Sequence, residues 1–192
     1  ADDIATRTFI RPDKLNAIND ALIDALDAFF AAPPEGVHAV ILRGAGDHFC
    51  AGLDLAEHEQ RAPLPGVHHS RNWHRVTEMI EFGGLPVVSV LHGAVIGGGL
   101  EIATSTHVRI AEPCVRFQLP EGRRGIFVGG GATVRVGRIL GPDRMREMML
   151  TGRSDGADEG LALGLAHYSV GADEGMALAQ ELARKIADNA PF

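Results

Sequence analysis

The sequence contains very little cysteine, since Cys50 and Cys114 are the only two in 192 residues. Their separation fits neither a disulfide framework nor the short paired spacing of a structural metal site. Free thiols are typical of proteins that stay in a reducing compartment. We therefore expect a cytoplasmic chain without disulfides and without a metal site.

Positive charge and long apolar runs are also scarce. The chain carries 18 Lys and Arg against 25 Asp and Glu, for a net charge of −7, whereas a protein that binds nucleic acid through its phosphates needs a basic face. No apolar run approaches the ~18 residues of a membrane span, and the first residues lack the basic and apolar regions of a signal peptide. We expect neither a nucleic-acid partner nor a membrane partner.

What is present is an ordinary globular composition, with 45% hydrophobic and 22% charged residues, enough for one domain with a sizeable core. Short apolar runs alternate with segments of helical spacing, which is typical of an α/β domain with mainly parallel strands. We predict strands at 4–10, 37–43, 85–91, 108–111 and 115–117, helices at 18–30, 70–82, 99–106, 132–140 and 142–150, and a surface loop at 56–70. Two near-identical pentapeptides, 156–160 and 171–175, are typical of helix starts.

The most informative feature is a pair of glutamates, Glu101 and Glu121, near a run of three glycines, Gly97-Gly98-Gly99. Glycines let backbone N–H groups approach a ligand closely, and the apolar residues that follow predict a helix whose positive end lies there. Such a site can stabilise an oxyanion while the carboxylates move protons. An enzyme is the leading hypothesis. The alternatives are a solvated carboxylate at a helix start for Glu101 and a surface turn residue for Glu121.

A second backbone donor is predicted at Leu53. Gly52 permits a sharp bend after an apolar run, which leaves the Leu53 N–H free to point into a cavity, and Asp54 follows as a candidate helix cap. Together with the Gly98 N–H, this gives the two convergent amides that an oxyanion hole requires. The alternatives are a tight strand-to-helix turn at Gly52 and close helix–strand packing at the glycine run. A dinucleotide site fits poorly, because the spacing is not G-x-G-x-x-G.

These segments, in this order, resemble the crotonase superfamily, the enoyl-CoA hydratase/isomerase family. The matching stretches are RPDKLNAI at 11–18, FCAGLDL at 49–55, HGAVIGGGLE at 92–101 and FQLPE at 117–121, and residues 129–141 and 150–153 continue the match. The resemblance covers nearly the whole chain and implies an α/β fold with a ββα spiral core in a single domain, residues 1–192. It also implies acyl-CoA thioester substrates, no cofactor besides the coenzyme A of the substrate, and a homotrimer or hexamer.

The resemblance also implies a role for each matching residue. The N–H groups of Leu53 and Gly98 would polarise the thioester carbonyl. Glu101 would activate the water that adds at C3, and Glu121 would deliver the proton to C2. Gly129 would help to hold the catalytic water. The residues that would contact the CoA arm are Lys14, Asn16, Ala17, Ala51, Gly52 and Asp54.

The sequence departs from the family at several places, among them Leu119, where hydratases often carry a polar residue, and Val128, where many have proline. Arg123 and Arg124 stand where the family commonly has aliphatic residues. A guanidinium close to Glu121 would lower the pKa of that carboxyl, whereas solvent-facing arginines would leave it alone. The chain is also shorter at both ends than typical members, and we expect the C-terminal helices that build the trimer to be absent.

Three functions stay open at this point. The first is a 2-enoyl-CoA hydratase, favoured because Glu101 is present beside Glu121. The second is an enoyl-CoA isomerase or another enolate-forming acyl-CoA enzyme, in which the later glutamate suffices. The third is a non-catalytic acyl-CoA-binding protein.

Overall fold

The computed structural model describes residues 3–58 and 63–189, which form two β-sheets covered by helices. The strands are β1 (Ile4–Phe9), β2 (Ala39–Gly44), β3 (Val87–Leu91), β4 (Ala94–Ile96), β5 (Val108–Ala111), β6 (Arg116–Gln118), β7 (Ser154–Asp155) and β8 (Tyr168–Ser169). The larger sheet has the order β1-β2-β3-β5-β8, and all of its pairs are parallel. In the smaller sheet, β6 pairs in parallel with β4 and antiparallel with β7.

The helices connect and cover these strands. They are α1 (Asp20–Ala31), α2 (Leu55–His58), α3 (Pro63–Phe82), α4 (Gly98–Ser105), α5 (Glu121–Arg124), α6 (Ala132–Leu140), α7 (Pro142–Thr151), α8 (Ala157–Ala162) and α9 (Gly175–Ala187). The predicted helix at 132–140 coincides with α6, and Asn19 caps α1 by accepting a hydrogen bond from the Leu22 N–H at 3.1 Å. The predicted α/β class with mainly parallel pairing is confirmed.

Both faces of the larger sheet are buried, which explains why its central strands are mostly apolar. One face packs against α9 through small side chains, and this cluster contains Ala39, Ile41, Val88, Val90, Ile110, Ala179, Ala183 and Ala187. The alternate residues of the same strands, among them Val40, Leu42 and Leu91, belong to the main core beneath α1, α3 and α4. Each such fully buried aliphatic side chain contributes about 1.5–3 kcal/mol. The buried sheet therefore gives rigid support to the loops at its edge.

The prediction of a surface loop at 56–70 is wrong for most of that range, which is helical. Residues 55–58 form α2, and α3 begins at Pro63 rather than near Ser70; residues 59–62 lie outside the described part of the chain. Prolines are tolerated in the first turn of a helix, because the N–H groups there have no intrahelical acceptor. Pro63 and Pro65 therefore mark the start of α3, not an interruption.

The two pentapeptides both lie at helix starts, as predicted, but in different registers. In the first, α8 begins at Ala157, so that Asp158 and Glu159 occupy its first turn, where acidic side chains are favourable. In the second, α9 begins only at Gly175. The preceding glutamate, Glu174, instead accepts a hydrogen bond from the Gly171 N–H at 2.8 Å.

Candidate active site

Two paired strands bring the glutamates together. Ile96 of β4 lies opposite Gln118 of β6, and the Gly97 N–H donates to the Gln118 carbonyl at 2.8 Å. Helix α4 starts directly after β4 and carries Glu101 in its first turn, while α5 starts directly after β6 with Glu121. Both glutamates are buried, at 3% and 5% relative exposure. The alternative interpretations, a solvated carboxylate and a surface turn residue, are therefore wrong.

Both glutamates line one cleft of about 750 Å³. Of the residues predicted for the site, this cleft brings together Ala51, Gly52, Leu53, Gly98, Glu101, Glu121 and Gly129. Its apolar wall includes Ile18, Leu55, Ile96, Ile126 and Phe127. The cleft therefore combines an apolar surface with two backbone donors and two carboxyl groups.

The two predicted backbone donors lie side by side because of a short parallel bridge. The Cys50 N–H donates to the Ala94 carbonyl at 2.9 Å, and the Ile96 N–H donates to the Cys50 carbonyl at 3.1 Å, which pairs Cys50 with Val95. Beyond the bridge the two segments stay close, since a Cβ on Gly52, the neighbour of Leu53, would lie 3.2 Å from the Gly98 nitrogen. Within residues 3–58 and 63–189, neither of these two N–H groups donates to a protein acceptor.

Close contact between the two segments requires glycine at defined positions. Gly52 has a φ of +89°, and a Cβ there would lie 2.6 Å from the Ile96 carbonyl oxygen. A Cβ on Gly99 would lie 2.2 Å from the Cys50 carbonyl oxygen. The close-packing interpretation of the glycine run is therefore correct for Gly99, while Gly98 presents its N–H to the cleft. The two interpretations apply to different glycines of the same run.

Three N–H groups hold the Glu101 carboxyl group. Its Oε1 accepts from the backbone N–H of Gly130 at 2.7 Å and of Ala132 at 3.1 Å, at the start of α6. Its Oε2 accepts from the indole Nε1–H of Trp73 at 2.9 Å. Sequence reasoning missed Trp73. Its spacing with Val76 and Ile80 did indicate the buried face of α3, but not a contact with a residue 28 positions away.

The second carboxyl group has the opposite environment. Oε2 of Glu121 is buried and has no hydrogen-bond partner among the described residues. Burial raises the pKa of Glu121 to about 7, and the nearby charge of Glu101 adds to this, while the backbone N–H of Glu121 itself opposes it. Arg123 and Arg124 are exposed at the cleft and do not lower this pKa. Of the two alternatives for these arginines, the structure favours the solvent-facing one.

The remaining residues predicted to contact CoA do not line the cleft. Asn16 is buried, where its Oδ1 accepts from the Arg11 N–H at 2.9 Å and its Nδ2 donates to the carbonyls of Ala45 at 2.9 Å and His48 at 2.6 Å. Asp54 forms an ion pair with Arg11 at 3.0 Å instead of serving as a free ligand.

Two further members of that set lie in the same surface loop. Lys14 is exposed in a short 3₁₀ turn, Pro12–Lys14, and the Ala17 carbonyl accepts from the Arg11 guanidinium at 2.6 Å. Residues 11–18 thus tie the loop after β1 to residues 44–54. A CoA contact by any of these four residues stays a prediction.

Known proteins resemble this chain over nearly its whole length. A family model described as Enoyl-CoA hydratase/isomerase matches residues 1–192. The chain belongs to the enoyl-CoA hydratase/isomerase family. It is 36% identical over 191 residues to the short-chain-enoyl-CoA hydratase of Clostridium acetobutylicum, an alignment that covers 98% of this chain and 73% of that protein.

Two more relatives of this enoyl-CoA hydratase/isomerase family member are informative. The crotonyl-CoA hydratase of Syntrophomonas wolfei is 32% identical over 157 residues, covering 80% of this chain and 60% of that one. A crystal structure from Rhodopseudomonas palustris superposes with a TM-score of 0.95 at 46% identity, covering 100% of this chain and 74% of that one. The single-domain α/β fold with a crotonase-like core that the sequence predicts is thereby confirmed.

Other reactive groups of this family member lie outside the cleft chemistry. Burial raises the pKa of the Cys50 thiol to about 12, which removes it as a nucleophile. Across residues 3–58 and 63–189, no group of three or more His, Cys, Asp or Glu side chains is placed to hold a metal ion. In that same part of the chain, no helix combines the length and apolar character that crossing a membrane requires.

Proposed function

We propose that the chain adds water across the C2=C3 double bond of a 2-enoyl-CoA thioester, as an enoyl-CoA hydratase. Family membership and the two hydratase relatives support this reaction class. The observation that carries the proposal is the contrast between two carboxyl groups in one cleft. Three N–H groups donate to Glu101, whereas Glu121 is buried, its Oε2 has no partner in the described part of the chain, and its pKa is raised. Such contrasting environments are typical of paired acid–base residues.

The thioester carbonyl oxygen binds between the N–H groups of Leu53 and Gly98. Both residues line the cleft, and neither N–H group has an acceptor among the described residues. Negative charge develops on this oxygen when a nucleophile adds at C3, and fixed donors in a partly closed site stabilise that charge without reorganising. The two donors at the cleft therefore support an enolate intermediate or an enolate-like transition state.

Hydration needs one proton acceptor and one proton donor. Glu101 takes a proton from water while the water oxygen bonds to C3, and the C2=C3 electron pair moves toward the thioester to give the enolate. Glu121 then gives its proton to C2, which restores the carbonyl. The product has gained one H and one OH, and the two carboxyl groups have exchanged protonation states. A pKa of about 7 leaves a substantial fraction of Glu121 protonated at neutral pH.

The position of Gly129 supports its predicted role with the water. Gly129 lines the cleft, and the next residue, Gly130, donates its N–H to Glu101. A water bound by the Gly129 N–H therefore lies near the carboxyl group that is to receive its proton. This would hold the nucleophile before the acyl group reacts, which lowers the entropic cost of the step.

Coenzyme A enters as part of the substrate, with Ala51 and Gly52 at the cleft wall where its pantetheine arm approaches the thioester. The apolar wall suits an acyl chain. The absence of another cofactor, assembly into a homotrimer or hexamer, and a cytoplasmic location stay predictions.

The test is the hydration of crotonyl-CoA by the purified protein, followed by loss of its conjugated absorbance. Conversion of a 3-enoyl-CoA to the 2-enoyl isomer and calorimetric binding of butyryl-CoA are measured in parallel. Glu78→Gln, which changes an exposed glutamate on α3, serves as the control. We expect hydration by the wild type and the control. Isomerisation without hydration would favour the isomerase, and binding without either reaction would favour the acyl-CoA-binding protein.

A further inference from the structure

Among residues 3–58 and 63–189, Trp73 is the one side chain that donates a hydrogen bond to Glu101. The other two donors are backbone N–H groups at the start of α6, whereas Trp73 projects from the buried face of α3. It is also the only tryptophan of the chain and is 5% exposed. A buried indole N–H that points at a buried carboxyl group fixes the orientation of both.

We propose that Trp73 is a positioning residue, which turns the Glu101 carboxyl group so that its last free lone pair receives the proton of the catalytic water. This inference rests on the proposed function. A carboxylate offers about four lone-pair directions. The Gly130 and Ala132 N–H groups occupy both directions of Oε1, and Trp73 occupies one direction of Oε2. The remaining direction, on Oε2, is the one that can accept from water in the cleft.

Contacts between α3 and the start of α6 keep this arrangement rigid. The Gly130 carbonyl lies 3.0 Å from the Thr77 hydroxyl and 3.0 Å from a guanidinium nitrogen of Arg135. Arg135 is also paired with Glu81 of α3, and it is 7% exposed. The helix that carries Trp73 and the loop that carries the other two donors are thus tied to each other, so the three donors keep fixed relative positions.

A purely structural role for Trp73 predicts something different. The indole ring also packs in the main core, so any variant that loses its bulk lowers stability and disturbs the whole cleft. Hydration and proton exchange at C2 would then fall together. A positioning role predicts that they separate, because exchange at C2 needs the oxyanion donors and Glu121 but no water at C3.

The decisive substitution removes the N–H and keeps the shape. Because Trp73 is the only tryptophan, growth of a tryptophan auxotroph on β-(3-benzothienyl)alanine replaces it alone. We expect kcat for crotonyl-CoA hydration to fall by about 10- to 100-fold, the loss of one hydrogen bond to a charged group, with KM unchanged. Exchange of the C2 protons of butyryl-CoA in D₂O should keep its wild-type rate. Asn72→Ala, an exposed neighbour on α3, is the matched control and should change neither rate.

A second measurement needs no turnover. The indole N–H gives a single ¹H–¹⁵N resonance in labelled protein, which we expect to move upfield in Glu101→Gln and to stay in place in Asn72→Ala. Three results would each overturn the positioning role. They are equal losses of hydration and C2 exchange, a kcat for hydration that does not fall, and an indole resonance that does not shift in Glu101→Gln. If the wild type fails to hydrate crotonyl-CoA, the proposed function fails, while the resonance still tests the contact.

Discussion

Replacing Glu121 with glutamine removes a carboxyl group that the fold holds in an unfavourable place for its charge. Its pKa rises from the ordinary value of 4.5 to about 7 on folding. The folded protein therefore binds this proton more tightly than the unfolded chain. The contribution of Glu121 to stability is complete below about pH 4.5, and it is lost as pH rises through about 7.

The size of the effect follows from the two pKa values. A difference of about 2.5 between them corresponds to about 3 kcal/mol of unfolding free energy. Glu121→Gln does not titrate, so its stability relative to the wild type should rise by this amount between acidic and mildly alkaline pH. In a chain of this length, 3 kcal/mol corresponds to a Tm difference of roughly 6–12 °C.

The assay is urea denaturation of both proteins at a series of pH values from about 4 to about 8.5, which spans the two pKa values. The protein concentration is held constant, because association would shift apparent stability. Glu78→Gln corrects for the loss of one exposed carboxyl group. Only the change of the stability difference with pH is diagnostic, because the buried amide of the variant changes the free energy of unfolding by the same amount at every pH. A stability difference that is flat across this range would refute the raised pKa and, with it, Glu121 as the acid.

Two further predictions follow from the same packing. Gly130→Ala should lower kcat/KM by about 100-fold or more, as displaced catalytic groups do, because the new Cβ would lie 1.9 Å from Nε1 of Trp73; wild-type rates in steady-state hydration kinetics would contradict this. A thiol titration of the native protein should detect Cys114, which is exposed, and miss Cys50, which is buried with a pKa of about 12. Two reactive thiols without denaturant would show that the strand bridge at Cys50 opens.

The sequence predicts those parts of the site that depend on local backbone chemistry. The glycines around Leu53 and Gly98 indicate accessible N–H groups, and both residues line the cleft. The two glutamates converge because β4 pairs with β6. Since β4 is not among the predicted strands, the prediction that both glutamates share a site rests on the glycine-rich run and the family resemblance, not on strand pairing.

What depends on distant contacts could not be predicted. The hydrogen bond from Trp73 to Glu101 joins residues 28 positions apart, and the donor from Gly130 is 29 positions away. Asn16 belongs to a stretch that matches a family motif, yet its side-chain amide forms hydrogen bonds with backbone groups of residues 11, 45 and 48. The raised pKa of Glu121 arises from burial, which is a property of the assembled cleft.

The most direct test of the central claim is the crotonyl-CoA hydration rate of Glu101→Gln, Glu121→Gln and the double variant. If the two glutamates act in one acid–base sequence, each single variant loses about 10²- to 10⁴-fold in kcat. The double variant then loses little more than the worse single one, because residues that act as a unit are not additive. Single variants that hydrate at the wild-type rate would contradict the account, and so would losses that simply multiply in the double variant.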